Sequence, residues 1–284
     1  MITPTIRDIL QSAGERLAQA GVSTPQLDAE LLLARSLNVD RAWLMAHPEY
    51  RISPEQEAAF QAMLARREAR EPLAYITGER WFYDFQLLVT PAVLTPRPET
   101  EELVERALTW LRERPQAVVV DVGTGSGAIA LAVARHAPTT QIYAIDISPA
   151  ALDVARENAR RLRLEKRVIF LQGDLLAPLP EPVDMVLANL PYIPEGNRPT
   201  LMPEVGVYEP PEALFGGASG LRHIKRLLEQ APLHLRPGGC ILLEIGHDQA
   251  QAVTTLARQH FPNANILIHK DMAGQDRFIA IESF

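Results

Sequence analysis

The stretch Ala117-Val118-Val119-Val120-Asp121-Val122-Gly123-Thr124-Gly125-Ser126-Gly127, running into the helical pattern Ala128–His136, decides the fold. Four valines without polar alternation predict a strand buried on both faces. The glycines predict a tight turn, and the alanine-rich segment behind them predicts a helix. The same strand–helix rhythm continues downstream. Strands are expected at 117–122, 141–145, 167–171, 183–188, 240–245, 266–269 and 278–281. Helices are expected at 128–136, 149–162, 221–228 and 248–259. Such alternation predicts a mostly parallel sheet covered by helices on both faces. The connection 270–277 is too short for a helical crossover, so it reads as a hairpin and one edge strand is expected to run antiparallel.

Upstream the pattern differs. Residues 1–74 read as short helices. Thr3-Pro4 is a start signal followed by Ile6, Leu10, Ala13 and Leu17 at helical spacing. Thr24-Pro25 repeats the signal, with Leu27, Leu31, Ala34 and Leu37 expected on one face. Asp40 caps a short helix carrying Trp43, and Ser53-Pro54-Glu55-Gln56 is a capping box. The β-prone residues between Tyr75 and Val89, with Gly78 as a turn, predict a hairpin between two domains. Thr95-Pro96-Arg97-Pro98 then opens a helix.

Bulk properties narrow the function. A formal charge of -7 argues against a protein built mainly to grip phosphate backbones. One cysteine, Cys240, excludes an internal disulfide and fits a reducing cytoplasm. The first residues lack a basic segment followed by an apolar one, and no run of about eighteen apolar residues occurs. No His-Glu-x-x-His or cysteine–histidine spacing marks a metal site.

The glycine turn is itself a candidate site. Gly123, Gly125 and Gly127 let the backbone approach a ligand closely. Free N–H groups at a helix start favour negative charge. Asp146, about twenty residues on, closes the next strand where an acid can accept bonds from ribose hydroxyls. The competing structural reading is a plain strand-to-helix turn. Asp174, after the third strand, is read either as a cofactor contact or as a loop cap.

Asn189-Leu190-Pro191-Tyr192 follows the apolar run 183–188. A carboxamide nitrogen is a poor nucleophile because its lone pair is delocalised. Accepting both N–H hydrogens fixes the amide plane and aims that lone pair. The Asn189 side-chain oxygen and the Leu190 carbonyl are the expected acceptors, and Tyr192 is expected to stack on or wall the planar target. Methyl displacement consumes a sulfonium charge, so it requires neither a metal nor a strong base. Taken alone, the four residues are a proline loop with a local turn-former. Behind a cofactor loop, they read as the site of methyl transfer to a planar nitrogen. Glu244 is a buried-acid candidate, expected to bond a backbone group or Arg97; Arg97 and Glu99 are expected at the pocket mouth.

Asp121-x-Gly123-x-Gly125-x-Gly127 resembles the first motif of class I S-adenosylmethionine-dependent methyltransferases. With the 71–78, 94–101, 189–192 and 208–214 segments, nearly the whole chain resembles the release factor glutamine methyltransferases, called PrmC or HemK. That resemblance implies an α/β fold: a Rossmann-like, seven-stranded, mostly parallel sheet with an antiparallel edge strand, plus a small N-terminal α-helical bundle. It implies a helical substrate-docking domain at 1–74, a hairpin linker at 75–94 and a class I methyltransferase domain at 95–284. The implied cofactor is S-adenosyl-L-methionine, held by Gly123, Thr124, Gly125, Ser126, Gly127, Asp146, Asp174, Leu175 and Asn189, with NAD the weaker alternative. The implied substrate is the glutamine of the Gly-Gly-Gln tripeptide in class 1 peptide chain release factors, bound at Asn189, Leu190, Pro191 and Tyr192. No nucleic acid or membrane partner is expected. Two departures stand out: leucine at position 190, where the family usually has proline, and Leu175, where some relatives carry an aromatic. Two rivals remain at this point: an adenine-N6 methyltransferase acting on DNA or RNA, and a non-catalytic protein that keeps the cofactor fold.

Overall fold

The computed structural model describes residues 4–283, which divide into two compact units. The first runs to Glu79 and also takes in Met202–Tyr208; the second comprises Arg80–Leu201 and Glu209 onward. The helical unit therefore extends a few residues past 74 and borrows a segment from far along the chain.

The first unit holds α1 (Ile6–Gln19), α2 (Pro25–Leu37), α3 (Arg41–Ala46), α4 (Pro54–Glu68) and α5 (Leu73–Thr77). Thr3 lies outside the described residues. The cap of α1 is Thr5, whose hydroxyl accepts from the Asp8 N–H while the Asp8 carboxylate accepts from the Thr5 N–H. Ser53 and Gln56 form the expected capping box on α4, and Asp40 caps α3. The buried face of α2 differs from expectation. Ala29, Leu32, Leu33 and Ala34 face the core, while Leu27 is exposed. Leucines on several faces let more than one phase look apolar. A buried ion pair decides between them: Asp28 on α2 accepts from Arg67 Nε at 2.7 Å, which turns that face inward.

The second unit begins with the hairpin β1 (Glu79–Phe82) and β2 (Phe85–Leu88), then α6 (Glu99–Leu111). The alternating part follows: β3 (Val118–Val122), α7 (Ala128–His136), β4 (Gln141–Asp146), α8 (Pro149–Arg161), β5 (Val168–Gln172) and β6 (Val183–Ala188). After α9 (Pro203–Gly206), which belongs to the first unit, come the short helix α10 (Pro211–Leu214), α11 (Arg222–His234), β7 (Leu235–Glu244), α12 (Ala250–His260), β8 (Asn265–Lys270) and β9 (Asp276–Glu282). The helix α11 runs past Leu228 and through Pro232, which falls in its last turn.

The seven-stranded sheet has the order β5-β4-β3-β6-β7-β9-β8. The first five are parallel; β9 pairs antiparallel with β7 and with the edge strand β8. Apolar clusters cover both faces, with Val118, Val120 and Val122 in one and Val119 in the other, as period-two side chains require. The chain leaves β3 towards β4 on one side and later returns through β6 on the other. In such sheets ligands bind outside the strand ends at the point where the order reverses. Val122 registers with Ile145 of β4 and Ala188 of β6. The glycine turn, Asp146 and the Asn189 turn are therefore brought side by side.

Candidate active site

A cleft of about 1160 Å³, open mouth included, lies at these strand ends, wholly within the second unit. Gly123, Thr124, Gly125, Ser126, Asp146, Asp174, Leu175, Asn189, Leu190 and Pro191 line it. Gly127 and Tyr192 do not.

The glycine turn is held by its own chain. Gly123, Gly125 and Gly127 all have positive φ, between +55° and +83°, which only glycine adopts without strain. Both Gly123 N–H and Thr124 N–H donate to the Ile145 carbonyl at 2.9 Å. Gly125 N–H donates to Asp146 Oδ2 at 2.9 Å, and Gly127 N–H to the Thr124 carbonyl at 2.8 Å. Four of the five amides are thus spent internally, which corrects the expectation of free donors for an anion. The turn offers close approach instead: a Cβ on Gly125 would meet nothing within 4 Å. Gly127 serves packing, because a Cβ there would meet Leu131 and Ala155 at 3.1 and 3.3 Å. A pyrophosphate needs those amides, so the arrangement disfavours a dinucleotide.

Beneath the turn, Asp121 is buried. Its Oδ2 accepts from Thr124 Oγ1 at 2.6 Å and from Ala130 N–H at 3.2 Å. Its Oδ1 has no partner among the described residues. Burial pushes this carboxyl up to about 7, despite the two donors. Asp146 accepts from Ser148 N–H on Oδ1 and from Gly125 N–H on Oδ2, both at 2.9 Å. Each oxygen keeps a further lone pair for a ligand hydroxyl. Beside it Ile147 is 65% exposed and lines the cleft, an apolar surface suited to a planar base. Leu175 faces the same cleft at φ +53°, an uncommon conformation for a residue with a Cβ. The Asp174 carboxylate takes an ion pair from Arg226. A carboxylate with free lone pairs, an exposed apolar wall and an open glycine backbone fit, in turn, ribose hydroxyls, a planar base and close approach of a ligand to the backbone.

The second half of the site is the turn after β6. Asn189 Nδ2 donates to Thr100 Oγ1 at 3.1 Å, and Thr100 Oγ1 donates to Glu244 Oε2 at 2.7 Å. Tyr192 OH donates to Glu244 Oε1 at 3.3 Å. Burial and the neighbouring Glu244 charge push the Tyr192 phenol well up, so it stays a donor. The ring of Tyr192 is half-buried against the core rather than along the cleft wall. Glu244 thus bonds Thr100 and Tyr192, not a backbone group or Arg97. Arg97 lines the cleft and pairs with the buried Glu209, which also accepts from Thr95 N–H at 3.3 Å. Glu99 is not on the lining. Leu190 is buried, its Cδ2 lying 3.1 Å from where a Cβ on Gly123 would stand.

Sequence reading missed the scaffold of this turn. The Tyr192 carbonyl accepts from Gln249 Nε2 at 2.8 Å. A Cβ on Gly216 would sit 2.5 Å from the Pro191 carbonyl oxygen, and one on Gly220 2.1 Å from that of Tyr192. The glycines in Gly216-Gly217-x-x-Gly220 were the available signal.

Comparison with known proteins follows the same division. The chain matches the PrmC N-terminal domain over residues 8–78 and a methyltransferase domain over residues 113–270. It is 46% identical to the release factor glutamine methyltransferase of Moorella thermoacetica, over 96% of both chains. It is 41% identical to that of Koribacter versatilis, over 97% of both. Among solved structures, a methyltransferase from Pyrococcus furiosus aligns with TM-score 0.50 and 18% identity, over 78% of this chain and 96% of that one. The Thermus thermophilus 16S rRNA N2 G1207 methyltransferase, solved with AdoMet and guanosine, aligns at 0.50 and 17%, over 72% and 50%. At such identities these two show the fold alone.

Proposed function

The chain belongs to the release factor glutamine methyltransferase family, and on that premise we propose that it methylates the side-chain amide nitrogen of the glutamine in the Gly-Gly-Gln motif of class 1 peptide chain release factors. The cofactor is S-adenosyl-L-methionine, which when bound supplies an electrophilic methyl group on a sulfonium. Asp146 accepts from the ribose hydroxyls, Ile147 and Leu175 pack on the base, and the turn from Gly123 to Gly127 lets the ligand approach the backbone. Asp174, tied to Arg226, shapes the rim near the base.

One observation carries the chemistry. Because Asn189 Nδ2 is committed to Thr100, its Oδ1 is the atom left to face a ligand, and a carbonyl oxygen only accepts. It takes one N–H of the target amide, and the Leu190 carbonyl takes the other. Pro191 disfavours the helical region for Leu190 and keeps its carbonyl extended. Leucine serves at position 190 because only its backbone is used. The two acceptors hold the amide plane so that its nitrogen lone pair meets the methyl, positioning that supplies several kcal/mol. Tyr192 steadies the turn through Glu244. The helical unit, matched to the PrmC N-terminal domain, holds the release factor, with the hairpin at 75–94 as the link between domains.

The test uses cofactor carrying an isotope-labelled methyl group, incubated with the protein and either a class 1 release factor or duplex DNA. Label on the factor alone is expected. Label on the DNA would return the assignment to adenine, and label on neither would return it to a non-catalytic protein.

A further inference from the structure

We propose that Thr100 and Glu244 are positioning residues that dictate which atom of the Asn189 side chain meets the substrate. The inference rests on the reading of Asn189 given above. A carboxamide turns about a broad, nearly two-fold torsion, and its two faces are similar in shape but opposite in hydrogen-bonding sense. Only the oxygen accepts from the target amide; the NH2 group would repel it. Asn189 therefore needs something that tells its two ends apart.

The hydroxyl of Thr100 does so because it has a single proton. That proton is spent on Glu244 Oε2 at 2.7 Å. A carboxylate accepts only, so the direction of this bond is fixed by the charge of Glu244. Towards Asn189, 3.1 Å away, the hydroxyl can then only accept. The end of Asn189 against it must be the NH2, and Oδ1 is turned towards the ligand. Glu244, Thr100 and Asn189 lie on β7, the first turn of α6 and the turn after β6. Both Glu244 and Thr100 are buried, at 2% and 4% exposure, so water does not compete for the hydroxyl's proton. Glu244 does not line the cleft; it acts through Thr100.

Protonating Glu244 would reverse the chain. A carboxylic acid donates to Thr100, whose proton then turns to Asn189 and selects its oxygen, leaving NH2 for the substrate. The groups facing Glu244 are Thr100 and Glu99 from α6, Tyr192 from the turn and Arg277 from β9. Burial raises the Glu244 carboxyl and Arg277 opposes that rise. The productive arrangement is present while Glu244 is charged and is lost as pH falls through its raised pKa.

The test compares Asn189→Ala, Thr100→Val, Thr100→Ser and Glu244→Gln in the release-factor assay. Valine keeps the shape of threonine without the hydroxyl, so kcat should fall by about thirtyfold while KM for factor and cofactor moves by less than about threefold. Thr100→Ser returns the hydroxyl and should restore kcat to within about threefold of wild type. Glu244→Gln cannot ionise, so the acid limb of the wild-type kcat profile should disappear even where the variant is slow. Wild-type kcat in Thr100→Val beside an inactive Asn189→Ala would overturn the relay and leave the Asn189 reading standing. So would equal losses in the valine and serine variants, or an acid limb that survives in Glu244→Gln. Full turnover in Asn189→Ala would remove both readings. Should Thr100→Val fail to fold, the pH profile of Glu244→Gln still decides.

Discussion

Asp146 ties the cofactor side of the site together, because both its oxygens accept backbone N–H groups from different loops. Asp146→Ala should weaken S-adenosylmethionine binding by roughly tenfold to a hundredfold, the worth of a charged hydrogen bond; unchanged affinity by calorimetry would remove it from the site. Asp121 makes a different prediction. Its folded-state pKa is raised to about 7, while an unfolded aspartate titrates near roughly 4. Within that window the folded chain holds the extra proton, so its contribution to stability falls as pH rises and the penalty is complete above the folded value. Thermal melts should therefore show Asp121→Asn gaining on the wild type between pH 5 and pH 8; equal shifts in both would contradict this. At this scale the sequence was legible where backbone chemistry speaks through residue type, as with the three glycines at positive φ. It was not legible where partners are distant: nothing local to Asn189 points to Thr100, 89 residues earlier, or to Glu244. Three of the four spent loop amides were hidden for the same reason, since Ile145 and Asp146 that take them belong to the next strand.

At the scale of elements, the strands were readable because a parallel sheet demands near-continuous apolar runs, and 117–122 and 183–188 supply them, each broken by a single aspartate, Asp121 and Asp184. The phase of α2 was not, because Leu27, Leu31, Leu32 and Leu33 give it no clean polar face and the buried Asp28–Arg67 pair decides. The proline-rich stretch after Tyr192 was also opaque; its structure depends on Gly216 and Gly220 packing under the 189–192 turn. Gly220 has φ +76° and a Cβ there would lie 2.1 Å from the Tyr192 carbonyl oxygen. Gly220→Ala should thus cost about 2–4 kcal/mol in urea unfolding, from strain and overpacking together, and lower kcat as well. A variant with unchanged stability and rate would show the turn to be freer than this packing allows.

Across the whole molecule, the two units are stabilised differently. The second has an apolar core on each face of its sheet. The first adds a charge cluster to its core: Arg67 bonds Asp28 and Glu204 at 2.7 and 3.0 Å, and Arg70 grips Glu204 with two bonds at 2.6 and 2.7 Å. Glu204 belongs to Met202–Tyr208, the segment that sequence order assigns to the other domain, so no reading of local pattern could have found it. Glu204→Ala removes the partner shared by Arg67 and Arg70, but Arg67 keeps Asp28 and Arg70 is partly exposed, so the helical unit should lose about 1–3 kcal/mol; a loss under about 0.5 kcal/mol in urea unfolding would mean the cluster is solvated. Methyl transfer itself involves the whole protein and its substrate. Peptide mass spectrometry of a class 1 release factor, after incubation with S-adenosylmethionine and either the wild-type chain or Asn189→Ala, tests it most directly. One added methyl on the Gly-Gly-Gln glutamine is expected with the wild type, and at least about a hundredfold slower modification with the variant. An unmodified glutamine with the wild type, or equal modification by both, would contradict it.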